Sequence, residues 1–475
     1  MRRDSLLSGC LAVFLGVAGC GGPDVGPRSH LSADEAAQAR AACQFTAGTL
    51  PGLSLAKDAP LAGEIPIDNV VILIMENRAF DHLLGALPEA GQPDVEVAPA
   101  NVTNPDATGK PIPRSHLAPY CFADTDHSWD GAHTEWDNGK NDGFVIANDP
   151  NGERAMGFYT ADDLPYFYAL ANAFSIGDHY FSSVLGPTYP NRDFAYAATS
   201  FGHTSNILFT DVRPTILLAL DQAGIPWIDY YTNAPGPGVF VGSLASDFGN
   251  LNPITQFFTD AQAGKLPPVS FVDPDLEDKS GSARTDFHPP GDIEEGQMFI
   301  STVVAALTAS PQWAHSALFI TFDENGGIYD HVPPPPACAP DDSAPDIGAG
   351  DLPGDFARYG FRVPLIVVSP YAKAHHVSHA IYDHTSILRF VEARFKLGAL
   401  TKRDANADPL FDLFDFSHAQ FATPPALPAA SINQQKLADC LAQFPKEIGD
   451  GGMPDLASPD MGTADLAPLD GGTTD

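Results

Sequence analysis

Two stretches of the chain are apolar almost without interruption and then turn polar at once. Residues 70–75 run into Glu76 and Asn77, and residues 317–322 run into Asp323 and Glu324. An apolar run with no alternation predicts a strand covered on both faces, as in a parallel sheet. Residues 363–368 have the same character despite Pro364 and predict another such strand. Helical spacing appears at 33–42, 164–174, 214–223, 293–307 and 384–397, with 226–231 reading as a strand. Asp383 before His384-Thr385-Ser386 is a helix start, and Arg389, Glu392 and Arg394 supply its polar face. Strands alternating with helices predict an α/β fold: a mostly parallel central sheet with helices on both faces. Ligands of such sheets bind beyond the carboxyl ends of the strands, where both polar pairs fall.

The ends of the chain have a different texture. Arg2 and Arg3 precede a short apolar run at 6–17, which closes on Val17-Ala18-Gly19-Cys20. The run is too short to span a bilayer and reads as a signal peptide over 1–20, with Cys20 as a lipidated mature N-terminus. The residue after Cys20 is Gly21, not Asp, so an outer-membrane lipoprotein on the periplasmic or cell-surface side is expected. Residues 21–65 read as a tether and lead-in segment, and 66–446 as the catalytic domain. From Asp450 an Asp recurs at every fifth position to Asp475, which fits no helix or strand period. Residues 447–475 are therefore expected to be a disordered acidic tail. The formal charge of -35 argues against a nucleic-acid partner, since phosphate backbones want clustered cations. Apart from Cys10 and Cys20, four cysteines remain, at 43, 121, 338 and 440. In an oxidising compartment they permit two disulfides, in any of three connectivities.

Glu76, Asn77, Asp323 and Glu324 offer the oxygen-rich donors that a hard cation such as Ca²⁺ or Mg²⁺ takes. In the second stretch, Gly326-Gly327 allows backbone to approach a ligand, and Asp330-His331 follows. Thr188 lies between Pro187 and Pro190 where a helix can begin, so its hydroxyl would sit among backbone N–H groups suited to an anion. Arg192 lies four residues on and could reach a phosphate. His127, His133, His288, His331 and His384 occur in polar stretches rich in Asp, Gly and Pro, and one could protonate a leaving alcohol near neutral pH. Taken alone, any of these histidines could be structural, and Gly186-Pro187-Thr188 could be only a turn.

Five blocks carry a resemblance: ENRAFDHLLG, HSWDGAHTEWDNGKNDGF, FSSVLGPTYPNRDF, FITFDENGGIYDHVPPP, and GFRVPLIVVSPYAK with YDHTSILRFVEARF. In this order they resemble the bacterial phosphoesterase family, which contains phospholipases C and a class of acid phosphatases. The resemblance spans about residues 67–395. It implies an alkaline-phosphatase-like α/β fold and one divalent metal ion; the oxygen-rich donors favour Ca or Mg, with Zn possible. The implied ligands are Glu76, Asn77, Asp323, Glu324 and Thr188. Thr188 would also be the nucleophile that forms a phospho-threonine, with His127, His288 and His331 beside the phosphate. Asn191, Arg192, His133 and His384 are candidates for substrate binding. Where the family carries Ser after Glu-Asn-Arg this chain has Ala79, and Leu83-Leu84 replace an aromatic pair.

The function expected is metal-assisted hydrolysis of a phospholipid or another phosphate ester, phospholipase C-like, with acid phosphatase as the alternative. Trp129, Trp136, Tyr166, Phe167 and Tyr168 could face a choline head group, although aromatic clusters more often build cores. A non-catalytic, cation-binding surface lipoprotein is the rival of another class.

Overall fold

The two apolar runs pair with each other. Asn69–Met75 lies parallel to Ser316–Phe322 along its whole length, with Met75 opposite Phe322. All residues of both strands are buried, so the polar pairs that follow emerge side by side. The structure is a computed structural model that describes residues 26–244, 248–276 and 284–444.

An eight-stranded sheet grows around this pair. Its order is His376–Ser378, Ser175–Gly177, Leu365–Val368, Ser316–Phe322, Asn69–Met75, Val269–Asp273, Trp227–Tyr231 and Leu251–Pro253. The pairings are parallel except those of Leu365–Val368, which runs antiparallel to both neighbours. Its expected parallel direction is thus corrected. A strand buried on both faces is apolar whichever way it runs, and Pro364, lacking an N–H, delays its start to Leu365.

Helices cover both faces, as expected. Phe319 and Phe322 are three apart on one strand and so point to opposite faces. Phe319 packs on Phe390 of the helix His384–Phe395, and Phe322 packs on Phe167 of the helix Pro165–Ala173. Helix ends match the sequence signals: the Asp383 N–H donates to Ser386 Oγ at the start of His384–Phe395. Tyr166, Phe167 and Tyr168 lie in the main core, not around a head group.

The described part of the expected tether is built into the domain. Leu55, Leu61 and Ile65 join the main core, and Arg40 pairs with Asp408. Cys43 is bonded to Cys338 and Cys121 to Cys440, which settles the connectivity that spacing left open. Two disulfides suit an oxidising, extracytoplasmic compartment. Among the described residues no helix is long and apolar enough to cross a membrane. Cys20, the expected signal peptide and the expected acidic tail lie outside the described residues.

Candidate active site

Strand pairing delivers the first four ligand candidates together. The Asp323 N–H donates to the Met75 carbonyl at 3.0 Å, continuing the ladder one residue past the strands. Asn77 then adopts a left-handed backbone (φ 55°), a conformation Asn tolerates better than most residues. That turn aims its N–H at Asp323 Oδ1, 3.0 Å away. The same oxygen accepts from the Glu324 N–H at 2.7 Å, and Glu324 Oε2 accepts from Gly326 at 2.7 Å. A Cβ on Gly326 would lie 2.4 Å from the Asn77 carbonyl oxygen, so the glycine lets the two loops close on each other.

Thr188 opens the helix Thr188–Ala197, and Arg192 lies one turn later on the same face. Arg192 Nη2 donates to Glu76 Oε1 at 2.8 Å, and its Nε lies 3.6 Å from Asp323 Oδ2. The helix face bearing Thr188 is thereby pinned to the carboxylate cluster. Arg192 also lies 3.6 Å from Asp273, and nothing of it is exposed. The suggestion that it reaches a substrate phosphate is corrected: its Nε and Nη2 donate to Glu76, and the whole side chain is buried among the site's own carboxylates.

Asn191 is corrected too. Its Oδ1 accepts from Ser183 and Val184, and its Nδ2 donates to the Gly186 carbonyl. With its amide spent on the 183–187 loop, it positions Thr188 and has nothing left for a substrate. The helix N-terminus is a thinner anion cradle than expected, because the Tyr189 N–H is taken by Asn206 Oδ1 at 2.9 Å and Pro190 has none.

His127 and His288 meet edge to face, 5.5 Å between ring centres, with Asp124 close by. His127 Nδ1 donates to the Thr125 carbonyl at 2.7 Å, and its Nε2 lies 3.2 Å from the Asn77 amide. Burial opposes a charge on His127, but the Asp124 and Glu324 carboxylates outweigh it and push its pKa up to about 9. His288 goes the other way: burial, then Arg284 and His127, holds it well below the usual range. Its Nδ1 is bonded to the Pro289 carbonyl. Two neighbouring imidazoles are thus set to opposite protonation states, one a proton donor and one an acceptor.

The other histidines lie apart in their bonding. His384 Nε2 donates to the Asp323 carbonyl at 2.6 Å and its Nδ1 meets the Tyr180 hydroxyl, so it braces a ligand's backbone and is corrected from substrate binding. His133 stacks on Trp129 and bonds the Trp129 carbonyl, which spends one ring face and one nitrogen on its own helix. His331 bonds Asp81, with Asp330 and Arg362 around it, and not the Glu76 group. Sequence reasoning missed Asp124, Arg284 and Asp286; the last two flank His288 in ARTDFH, and Asp286 accepts from its N–H. Ala79 and Leu83 are fully buried, so these departures from the family pattern lie in the core.

Of the buried oxygens that lack a hydrogen-bond partner among the described residues, five gather at this site: Glu76 Oε2, Asn77 Oδ1, Thr188 Oγ1, Asp323 Oδ2 and Glu324 Oε1. They belong to the five residues expected to hold a metal. An unpaired buried oxygen is costly, and a hard cation with an all-oxygen shell would satisfy every one of them. The residues therefore fit the ion. Burial, reinforced by Asp323, pushes Glu76 and Glu324 well above the usual carboxylate range, as a site that needs positive charge would show.

The fold and the site together define an α/β protein with a buried, oxygen-rich polar site at the carboxyl ends of two central strands. The chain belongs to the Phosphoesterase family, whose profile matches residues 67–398. It is 32% identical to "Phospholipase C B" of Mycobacterium tuberculosis, over 85% of this chain and 89% of that one. It is 33% identical to "Non-specific phospholipase C1" of Arabidopsis thaliana, over 72% of this chain and 69% of that one. A solved protein of the alkaline phosphatase superfamily from Vibrio parahaemolyticus aligns with 72% of this chain and 69% of its own, at a TM-score of 0.37 and 9% identity.

Proposed function

We propose that the chain is a phospholipase C-like phosphodiesterase that works through a phospho-threonine at Thr188. The observation that carries this reading is the set of five unpartnered oxygens on Glu76, Asn77, Thr188, Asp323 and Glu324. These residues would hold one divalent ion. When bound, it supplies Lewis-acid polarisation of a phosphate oxygen and acidifies the Thr188 hydroxyl. Calcium or magnesium suits the all-oxygen donors, whereas zinc would favour added nitrogen ligands.

In the first half-reaction, Thr188 Oγ forms the bond to phosphorus and its proton passes to the unpartnered Nε2 of His288. His127, kept protonated by its carboxylate neighbours, gives a proton to the departing alcohol as the ester P–O bond breaks. In the second, water attacks phosphorus, the now neutral His127 takes a water proton, and His288 returns its proton to Thr188 as that P–O bond breaks. Arg192 holds Glu76 in place throughout and neutralises part of the carboxylate charge.

Relatives named as phospholipases C favour a phospholipid substrate over a phosphomonoester. Turnover of a phosphocholine diester should therefore exceed that of a simple phosphomonoester, and acid quenching during turnover should leave phosphate on Thr188. Preference for the monoester would make the chain an acid phosphatase. Divalent-ion binding with neither activity would make it a cation-binding lipoprotein. Export with a lipid on Cys20 belongs to the same reading, supported by the two disulfides. A mature N-terminus other than lipidated Cys20, seen by mass spectrometry, would sink the anchor.

A further inference from the structure

A cavity of about 510 Å³ adjoins the candidate active site at two points. Ser128, next to His127, and Pro187, next to Thr188, both line it. Ser205 and Asn206 form one side, and Asn206 Oδ1 accepts from the Tyr189 N–H, one residue past Thr188. Asp130 and Asp351 form the other side, where the Leu352 N–H donates to Asp130 Oδ1 and the Trp129 indole donates to the Leu352 carbonyl.

Exposed apolar side chains gather beside this cavity. Among the described residues, large hydrophobic side chains are exposed at eight positions, and four of them lie on segments at or next to the rim. Ile207 (45% exposed) follows Asn206 directly, and Leu352 (39%) follows Asp351. Val212 (66%) is on a segment laid along the next: Gly242 donates to the Phe209 carbonyl, and Arg213 to Ser243 Oγ. That second segment exposes Val241 (36%). Soluble monomers rarely group exposed apolar residues in this way without a surface to meet. The one arginine here, Arg213, is occupied by Asp211 and by the faces of Phe201 and Phe209.

We infer that this rim is a membrane-docking surface that seats the protein on a zwitterionic phospholipid bilayer, with the cavity facing the head groups. It rests on the phospholipid reading above and adds where the bilayer is met. Three features of the molecule select this partner. The rim begins one residue from residues that contact Thr188's helix, so docking brings substrate to the nucleophile and not to a remote face. The charged residues lining the cavity are Asp130, Asp346 and Asp351, which suit the cationic end of a zwitterionic head group. The net charge of -35 and the lack of free basic residues at the rim oppose an anionic surface, so attachment depends on apolar burial and not on counter-charge.

Val212→Asp and Ile207→Asp test this on the full chain carrying Cys20→Ser, so that no acyl group anchors it, using phosphatidylcholine vesicles, phosphatidylglycerol vesicles and a short-chain, monomeric phosphocholine ester. Each substitution is expected to lower sedimentation with phosphatidylcholine vesicles, and hydrolysis of them, by about tenfold. Turnover of the soluble ester should be unchanged, which also shows that the variants fold. Wild-type protein should prefer phosphatidylcholine vesicles over phosphatidylglycerol ones, with little dependence on salt. Vesicle binding by both variants at the wild-type level overturns the inference. So does a wild-type dimer in light scattering that the variants convert to monomer, because a second copy would then cover the rim. Failure to cleave even the soluble ester sinks the phospholipase reading, while vesicle sedimentation still decides the docking surface on its own.

Discussion

Two clusters behind the sheet's carboxyl edge use the same residue types and differ in how completely they are paired. Around Glu76, Asp323 and Glu324 stand Arg192 and His127; around Asp81 and Asp330 stand Arg362 and His331. In the second cluster the accounts of donors and acceptors close. Asp81 accepts from Ala98 and His331, and Asp330 from Arg362, Val332 and Asp81. Arg362 also reaches the carbonyls of Glu96 and Asp178. Burial alone would raise the pKa of Asp81, but Arg362 and His331 outweigh it and hold the group strongly ionised. In the first cluster five oxygens stay unpartnered, and Glu76 and Glu324 are pushed upward. Equal residue types therefore carry opposite meanings. A closed network is a strut, whereas an open one has donors to give to something outside the protein.

The largest expected effect breaks the open cluster without breaking the fold. Asp323→Asn or Thr188→Ala should lower turnover by roughly a thousandfold, the scale of losing a nucleophile or an essential electrostatic group. In chelator, the unfolding free energy of Thr188→Ala should stay within about 1 kcal/mol of wild type, since Thr188 Oγ1 makes no hydrogen bond to lose. A collapse of stability in Thr188→Ala would show this cluster to be structural after all.

The mirror experiment comes next. Arg362→Met leaves Asp330 and Asp81 buried without their counter-charge, which should cost about 3–5 kcal/mol in denaturant unfolding. Turnover per folded molecule should change little. Chelation should sort the two clusters in the same way. Removing divalent ions is expected to abolish activity and lower the melting temperature of wild type. It should have little further effect on the melting temperature of Asp323→Asn, whose ion site is already impaired. An equal fall in both would place the stabilising ion elsewhere.

How much of this could be read beforehand depended on whether the physics was local. Residues 70–75 and 317–322 were legible as strands because burial on both faces leaves almost no polar position, and their ends were legible because the change to Glu76 and Asp323 is abrupt. Direction was not legible in 365–368, since the same apolar run serves either sense. The helix start at Thr188 was legible from its place between two prolines, but the partners of Asn191 and Arg192 were not. A side chain's partner decides its role, and Arg192 finds Glu76 from 116 positions away. His331 was assigned to the phosphate for the same reason: its partner Asp81 is 250 positions distant. Asp124 and Arg284 had no local mark at all.

His331 provides the finest test of the difference. Burial opposes its charge, but the bond to Asp81 and the nearby Asp330 prevail and raise its pKa above the ordinary histidine value. A histidine raised in the folded state contributes stability that is fully present below its unfolded pKa of about 6.5 and fades as pH climbs through the higher folded value. Wild type should therefore lose some stability on the alkaline side of neutrality, and His331→Gln should lack that slope while being less stable than wild type below pH 6.5 or so. The loss should be smaller than for Arg362→Met, since the guanidinium still neutralises Asp81 at 3.3 Å. Denaturant midpoints measured from pH 5 to pH 9 would read both slopes. If His331→Gln kept the wild-type pH slope but lost turnover on a soluble phosphocholine ester, His331 would belong with the open cluster, and the division between strut and site would have to be redrawn.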